Sequence, residues 1–139
     1  MKITGALLVV LALITAVVPF FTDCQSQGRA LTLANGKEIA MKCHWTGRAE
    51  LVLAIPLLAM GVFLIFSKRT ESLRNLSLIS IVMGVLIILV PTVLIGVCGS
   101  AMMICNAVMK PTLILLGSLV IALGVAGVLQ TLQRRTVQT

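Results

Sequence analysis

The sequence predicts an all-α integral membrane protein: a four-helix bundle with a small extracytoplasmic β-hairpin between helices 1 and 2. Three observations carry that prediction. Apolar residues make up 59% of the 139 residues and charged residues only 11%, against about 25% charged in a soluble domain. Too little polar surface remains to cover a water-soluble globule, so the excess has to face lipid. Four apolar runs are each about 20 residues long, enough to cross roughly 30 Å of hydrocarbon. None carries an internal charge, and the Lys and Arg residues stand in the links between them and beside the first and last spans. The length fits one domain. The net charge of +7 does not point to nucleic acid, because no basic face with aromatic or fork-like readers is present. Basic links of this kind suit contact with anionic lipid.

The first span, residues 3–21, is ITGALLVVLALITAVVPFF. No A-x-A cleavage site follows it. Asp23 precedes Cys24 where a lipoprotein signal needs a small residue. The run is therefore read as a retained helix. The second span, 49–66, is AELVLAIPLLAMGVFLIF, with Glu50 at its start, where a carboxylate favours the positive end of the helix dipole. The third, 76–97, is LSLISIVMGVLIILVPTVLIGV, and the fourth, 111–132, is PTLILLGSLVIALGVAGVLQTL. The short charged link SKRTESLRN, 67–75, makes helices 2 and 3 adjacent and antiparallel. VVPFFTDC at the end of the first span and LVPTVLIGVC at the end of the third each put a proline shortly before a cysteine. Two helical hairpins related as a degenerate repeat would produce that echo.

Small residues recur at helical spacing: Gly117, Gly124 and Gly127; Ser118, Ala122 and Ala126; Ala12 and Ala16. Such stripes let backbones approach closely in lipid, either within the bundle or against a partner membrane protein. Without internal charges, an ion relay through the spans is not expected.

Orientation follows from Lys and Arg near the span ends. With both termini cytoplasmic, Lys2, Lys68, Arg69, Arg74, Arg134 and Arg135 lie inside. Arg29, Lys37, Lys42, Arg48 and Lys110 then lie outside, so the vote rests on a single residue. The four cysteines, Cys24, Cys43, Cys98 and Cys105, add a second argument. All fall in or beside the two links this orientation exposes to the outside, 22–48 and 98–110, where disulfides persist.

In the first outer link Asn35-Gly36 signals a two-residue hairpin turn, with a short ribbon over 29–42. A Cys24–Cys43 bond would staple its base and contribute about 3 kcal/mol by chain entropy. In the second, a helical segment would hold Cys98 and Cys105 about 10 Å apart along the axis, too far to bond. They would then pair with Cys24 and Cys43 and tie the two hairpins together. A loop would let them pair with each other. Four cysteines allow three pairings, with structural disulfides between the loops favoured.

The stretch MKCHWTGRAE, 41–50, places a cysteine beside the only histidine and the only tryptophan. As an interface anchor, Trp45 sits at headgroup level and Arg48 meets phosphate. Thr46 caps helix 2, and His44 bonds a loop carbonyl. Metal ligation is the weaker reading: no C-x-x-C occurs, and His44 is adjacent to Cys43, so the two would not readily converge on one ion. Met41, Met102, Met103 and Met109 add soft sulfur to the same side. A redox reading makes the cysteines a relay that passes electrons to a membrane quinone, its oxygen held by His44 or Arg48. That layout is similar to the membrane oxidases that regenerate disulfides, without their close C-x-x-C.

The run CHWTGRAE at 43–50, Cys24 upstream, and VCGSAMMICNAVMKP at 97–111 resemble a family of small four-span prokaryotic membrane proteins, domain of unknown function 4418. The resemblance rests on Cys43, His44, Trp45, Arg48, Ala49 and Glu50, and on Cys98, Cys105, Asn106 and Pro111. It carries no activity with it. It implies an accessory subunit beside export-type ABC transporter permeases. The expected function is accordingly non-enzymatic and without cofactor: a membrane subunit that meets lipid and a transporter permease. A thiol–disulfide/quinone oxidoreductase and a small oligomeric carrier are the alternatives.

Overall fold

The computed structural model describes residues 2–24, 28, 31–67, 69–100 and 102–137. Four helices form the bundle: α1 (Lys2–Thr22), α2 (Lys42–Phe66), α3 (Thr70–Leu89) and α4 (Lys110–Val137). Two five-residue π-helical segments extend the second pair at one end. Val90–Leu94 continues α3, and Cys105–Met109 leads into α4. With these segments included, all four helices are long and apolar enough to cross a membrane, and the protein is a multi-pass membrane protein.

Two helices begin well before their apolar runs. α2 begins at Lys42, so Cys43, His44, Trp45 and Arg48 lie on its first two turns and not in a loop. α3 begins at Thr70, which leaves 67–69 as the link to α2. Hydropathy marks the hydrocarbon portion of a helix. The backbone hydrogen-bond ladder continues past it into the headgroup layer.

The bundle is two tight hairpins. α1 packs along α2 and α3 along α4, while the α2–α3 and α1–α4 seams are thinner. Each hairpin crosses on a pair of glycines. A Cβ on Gly5 would stand 2.9 Å from the Gly61 carbonyl oxygen, and one on Gly61 would stand 3.1 Å from that of Gly5. Gly84 and Gly117 repeat the arrangement in α3 and α4, at 2.9 and 2.8 Å. Backbones this close have room only for hydrogen at Cα. Gly117, Gly124 and Gly127 thus face the interior, whereas Ser118 and Ala122 of the neighbouring row are exposed. Pro56 is also exposed, and the ring points away from the bundle.

Burial divides into two clusters. Leu8, Ala12, Leu57, Met60, Leu64, Leu73, Met83, Ile87 and Val120 form an apolar core fed by all four helices. The second cluster gathers Cys24, Cys43, Cys105, Met109, Leu113 and Leu116, with Met41, Cys98 and Met103 against it. It occupies the end of the bundle where α1 stops and α2 starts.

The link between α1 and α2 carries the expected antiparallel hairpin, reduced to β1 (Leu31–Thr32) and β2 (Glu38–Ile39), with Leu31 opposite Ile39 and Thr32 opposite Glu38. Positions 29 and 30 of the expected ribbon lie outside the described residues. The turn differs from the two-residue type. Leu33 N–H donates to Lys37 O (3.0 Å) and Gly36 N–H to Leu33 O (2.9 Å). Within this loop only Gly36 is left-handed, at φ +74°. This is a three-residue loop in which glycine takes the bulge position; Asn35 does not adopt the positive φ a two-residue turn demands.

Candidate thiolate centre

Four separate segments each bring one cysteine to the same point. Cys24 follows the end of α1, where Asp23 N–H still donates to Pro19 O (2.9 Å). Cys43 lies on the first turn of α2, Cys98 on the irregular link after α3, and Cys105 on the first residue of the π-helical segment before α4. The wider π turn re-aims side chains relative to a regular helix, and such segments gather at functional sites. Pro91 and Pro111, which cannot donate a backbone bond, lie in or beside the two π segments.

All four Sγ atoms lie within 4.8 Å of one another. Cys24 and Cys105 approach to 2.9 Å and Cys43 and Cys98 to 3.4 Å, with Cys24–Cys98 at 4.0 Å. A disulfide needs about 2.05 Å. The expected structural disulfides are therefore not formed: all four cysteines are free thiols. The expectation that sulfur would join the two hairpins holds as proximity, because each close pair takes one cysteine from each hairpin. Cys24, Cys43 and Cys105 are buried and Cys98 is half-buried. Burial pushes the Cys24 thiol well above the usual thiol range. Met41 Sδ lies 4.0 Å from Cys98 Sγ and adds a thioether to the rim.

Thr46 fastens the centre together. It does not cap α2, whose N-cap is Met41 with no side-chain bond. Instead its hydroxyl, wholly buried, donates to Gly96 O at 2.6 Å. That bond ties the first turn of α2 to the link carrying Cys98.

His44 points away from the sulfur. Its Nδ1 donates to Asp23 Oδ2 at 2.9 Å, a carboxylate where a loop carbonyl was expected. With Arg48, Pro19, Phe20, Gly47 and Leu51, this pair lines a cleft of about 310 Å³ between α1 and α2. Trp45 is 61% exposed on the first turn of α2, the placement an interface anchor requires. Glu50 departs furthest from its expected place. It is two turns into α2, wholly buried, and neither carboxylate oxygen has a hydrogen-bond partner among the described residues.

Little in the residue pattern announces the convergence. No C-x-x-C places two ligands locally, and the four positions are spread from 24 to 105. The one available signal was the repeated proline-then-cysteine ending of α1 and α3. It puts one sulfur at the same end of each hairpin.

The chain matches the family described as Domain of unknown function (DUF4418) over residues 4–130. It belongs to that family. The DUF4418 match runs from the first turns of α1 almost to the end of α4, so the four cysteines and Glu50 all lie within it. No curated protein and no solved structure matches the chain.

Proposed function

We propose that this DUF4418 protein is a membrane metal-binding protein whose four thiols, as thiolates, hold one soft or borderline cation at the bundle end. The observation that carries this reading is the mutual approach of four unbonded Sγ atoms within 4.8 Å. A tetrahedral thiolate site with bonds of about 2.3 Å spaces its sulfurs about 3.8 Å apart. The distances here, from 2.9 to 4.0 Å for Cys24–Cys105, Cys43–Cys98 and Cys24–Cys98, bracket that spacing. Burial of three of the four thiols keeps water from competing. Ligation would replace four thiol protons by one cation and give the buried sulfurs a common partner.

A titration tests it. Reduced, chelator-stripped protein in detergent takes up Cd²⁺ or Co²⁺ with sulfur-to-metal charge-transfer absorption that saturates at one ion per chain. Cys43→Ser/Cys105→Ser shows no such band. Wild-type protein with no thiolate absorption at any metal concentration contradicts the reading.

A second reading is redox, and it rests on the two close pairs and the cleft. Oxidation of Cys24 with Cys105 and of Cys43 with Cys98 would form two disulfides and release four protons and four electrons. Two quinone molecules would take them up and become quinols. The cleft beside Cys24 and Cys43, with His44 and Arg48 in its wall, suits a quinone head. Quinone reduction coupled to loss of free thiols tests this; thiols that persist in excess quinone dispose of it.

Both readings place the sulfur end extracytoplasmic and both termini cytoplasmic. That orientation is supported by the Lys and Arg count at the two ends of the spans, six against five. A transporter permease as partner, or a second copy in an oligomeric carrier, would meet the outward row at Ser118 and Ala122. Co-purification under gentle extraction tests the partner.

A further inference from the structure

Of the four thiols, three are buried and Cys98 alone is half-buried, so a cation arriving from water meets Cys98 first. Gly99 and Ser100 beside it are exposed. Met41 stands at the same opening: its Sδ lies 4.0 Å from Cys98 Sγ. The thioether is held in two ways. Met41 is the N-cap of α2, and its carbonyl accepts from His44 N–H at 3.0 Å. Its side chain is half-buried and packs against the cysteine cluster. Packing alone does not call for sulfur at this position, since leucine fills a similar volume.

Two observations say which ion such a pair would take. The first is the thioether itself, which is soft and uncharged and has no proton to lose before it binds. It suits Cu⁺ and similar soft cations, whereas Zn²⁺ draws on thiolate, imidazole and carboxylate. The second is the charge at this end of the bundle. Among the described residues, Lys37, Lys42, Arg48 and Lys110 stand there against Asp23 and Glu38, and Asp23 already accepts from His44. Lys42 is exposed directly beside Met41. A positive surround opposes a divalent ion twice as strongly as a monovalent one.

We infer that Met41 and Cys98 form the entry position at which a soft monovalent cation of the Cu⁺ class is first held before the four thiols take it. This rests on the thiolate reading and adds to it the class of ion and its way in. Cys98 belongs to both positions. It shares the ion with Met41 at the rim, and it lies 3.4 Å from Cys43 and 4.0 Å from Cys24 within the centre. Transfer inward exchanges the thioether for further thiolates while the bond to Cys98 persists. Each thiol that ligates gives its proton to water, and no electron moves.

The test compares the uptake rates of two ions by reduced, chelator-stripped protein in lipid nanodiscs without oxygen. Cu⁺ is supplied from a chromophoric chelator and followed by the loss of its colour. Co²⁺ is the borderline divalent control, followed by its thiolate absorption. Met41→Leu is expected to slow Cu⁺ uptake about tenfold and to leave the rate and stoichiometry of Co²⁺ uptake unchanged, which also reports an intact fold. Equal Cu⁺ rates in variant and wild type, or equal slowing of both ions, overturn the inference and leave the thiolate centre standing. So does a wild type that takes Co²⁺ and refuses Cu⁺. A wild type that takes up neither ion removes both readings together. If Met41→Leu loses Co²⁺ binding altogether, Met41→Gln decides on the same two rates: slowing confined to Cu⁺ supports the entry position, and any other result overturns it.

Discussion

The two ends of the bundle are built on different principles. At the inner end of α1 and α2, the helices meet backbone to backbone at Gly5 and Gly61; Gly84 with Gly117 does the same for α3 and α4 near mid-span. The buried hydroxyls there, Ser77, Ser80 and Thr131, turn back to carbonyls of their own helices. At the sulfur end the helices stop, start and widen into π turns, and four thiols, a threonine hydroxyl and an orphan carboxylate occupy the interior. Lipid supplies no hydrophobic drive between helices, so close backbone packing has to hold the first end. The second end lacks that packing, and its buried groups have incomplete partners. Stability is concentrated where the glycines cross. Ligand chemistry is concentrated where the packing is relaxed.

Substitutions at the two ends should therefore fail in different ways. The largest effect is expected from Cys105→Ser. It removes one of four ligands and should weaken metal binding by more than the 10–100-fold that loss of an outer-shell partner costs, while the stripped protein keeps its helical signal. Competition with a chromophoric chelator measures it. Equal affinity in the variant would mean that Cys105 is not a ligand. Next comes Gly61→Leu, whose Cβ would press on the Gly5 carbonyl at 3.1 Å and on Val9 N at 3.0 Å. Overpacking of that kind costs about 3 kcal/mol and should lower the unfolding midpoint in detergent without changing the metal stoichiometry of the folded fraction. An unchanged midpoint would show that the crossing is looser than described.

Thr46→Val tests the tie between the ends' parts. It removes the 2.6 Å bond to Gly96 O and should cost about 1–2 kcal/mol. Metal affinity should drop with it, because the link carrying Cys98 loses its anchor. A stability loss with no change in affinity would separate the anchor from the centre. The smallest effect is expected from His44→Ala. Its pair with Asp23 is partly exposed, and its loss should cost no more than about 1 kcal/mol and leave metal binding untouched. A large loss of metal in this variant would place His44 among the ligands.

The fold was legible because lipid imposes a simple demand. Four runs such as ITGALLVVLALITAVVPFF have few alternatives to membrane helices, and Asn35-Gly36 announces a reversal. The glycines were legible as a close-packing signal, but not their division of labour: periodicity does not say that Gly117 faces Gly84 while Ser118 faces outward. The start of α2 was hidden because MKCHWTGR is not apolar, and hydropathy cannot see a helix that leaves the hydrocarbon. That shift of one helix start moved Glu50 from a solvated terminus to a buried interior. The thiolate centre was hidden because its ligands come one from each of four segments, and only the tertiary fold brings them together.

The most direct test of the central claim is the state of the sulfur in protein purified from its native membrane without reductant or chelator. Elemental analysis combined with intact mass under denaturing conditions reads metal and disulfides on the same sample. One metal ion per chain and a mass with all four thiols intact are expected. Metal-free protein, with its mass lowered by the hydrogens of Cys24–Cys105 and Cys43–Cys98 disulfides, would contradict it.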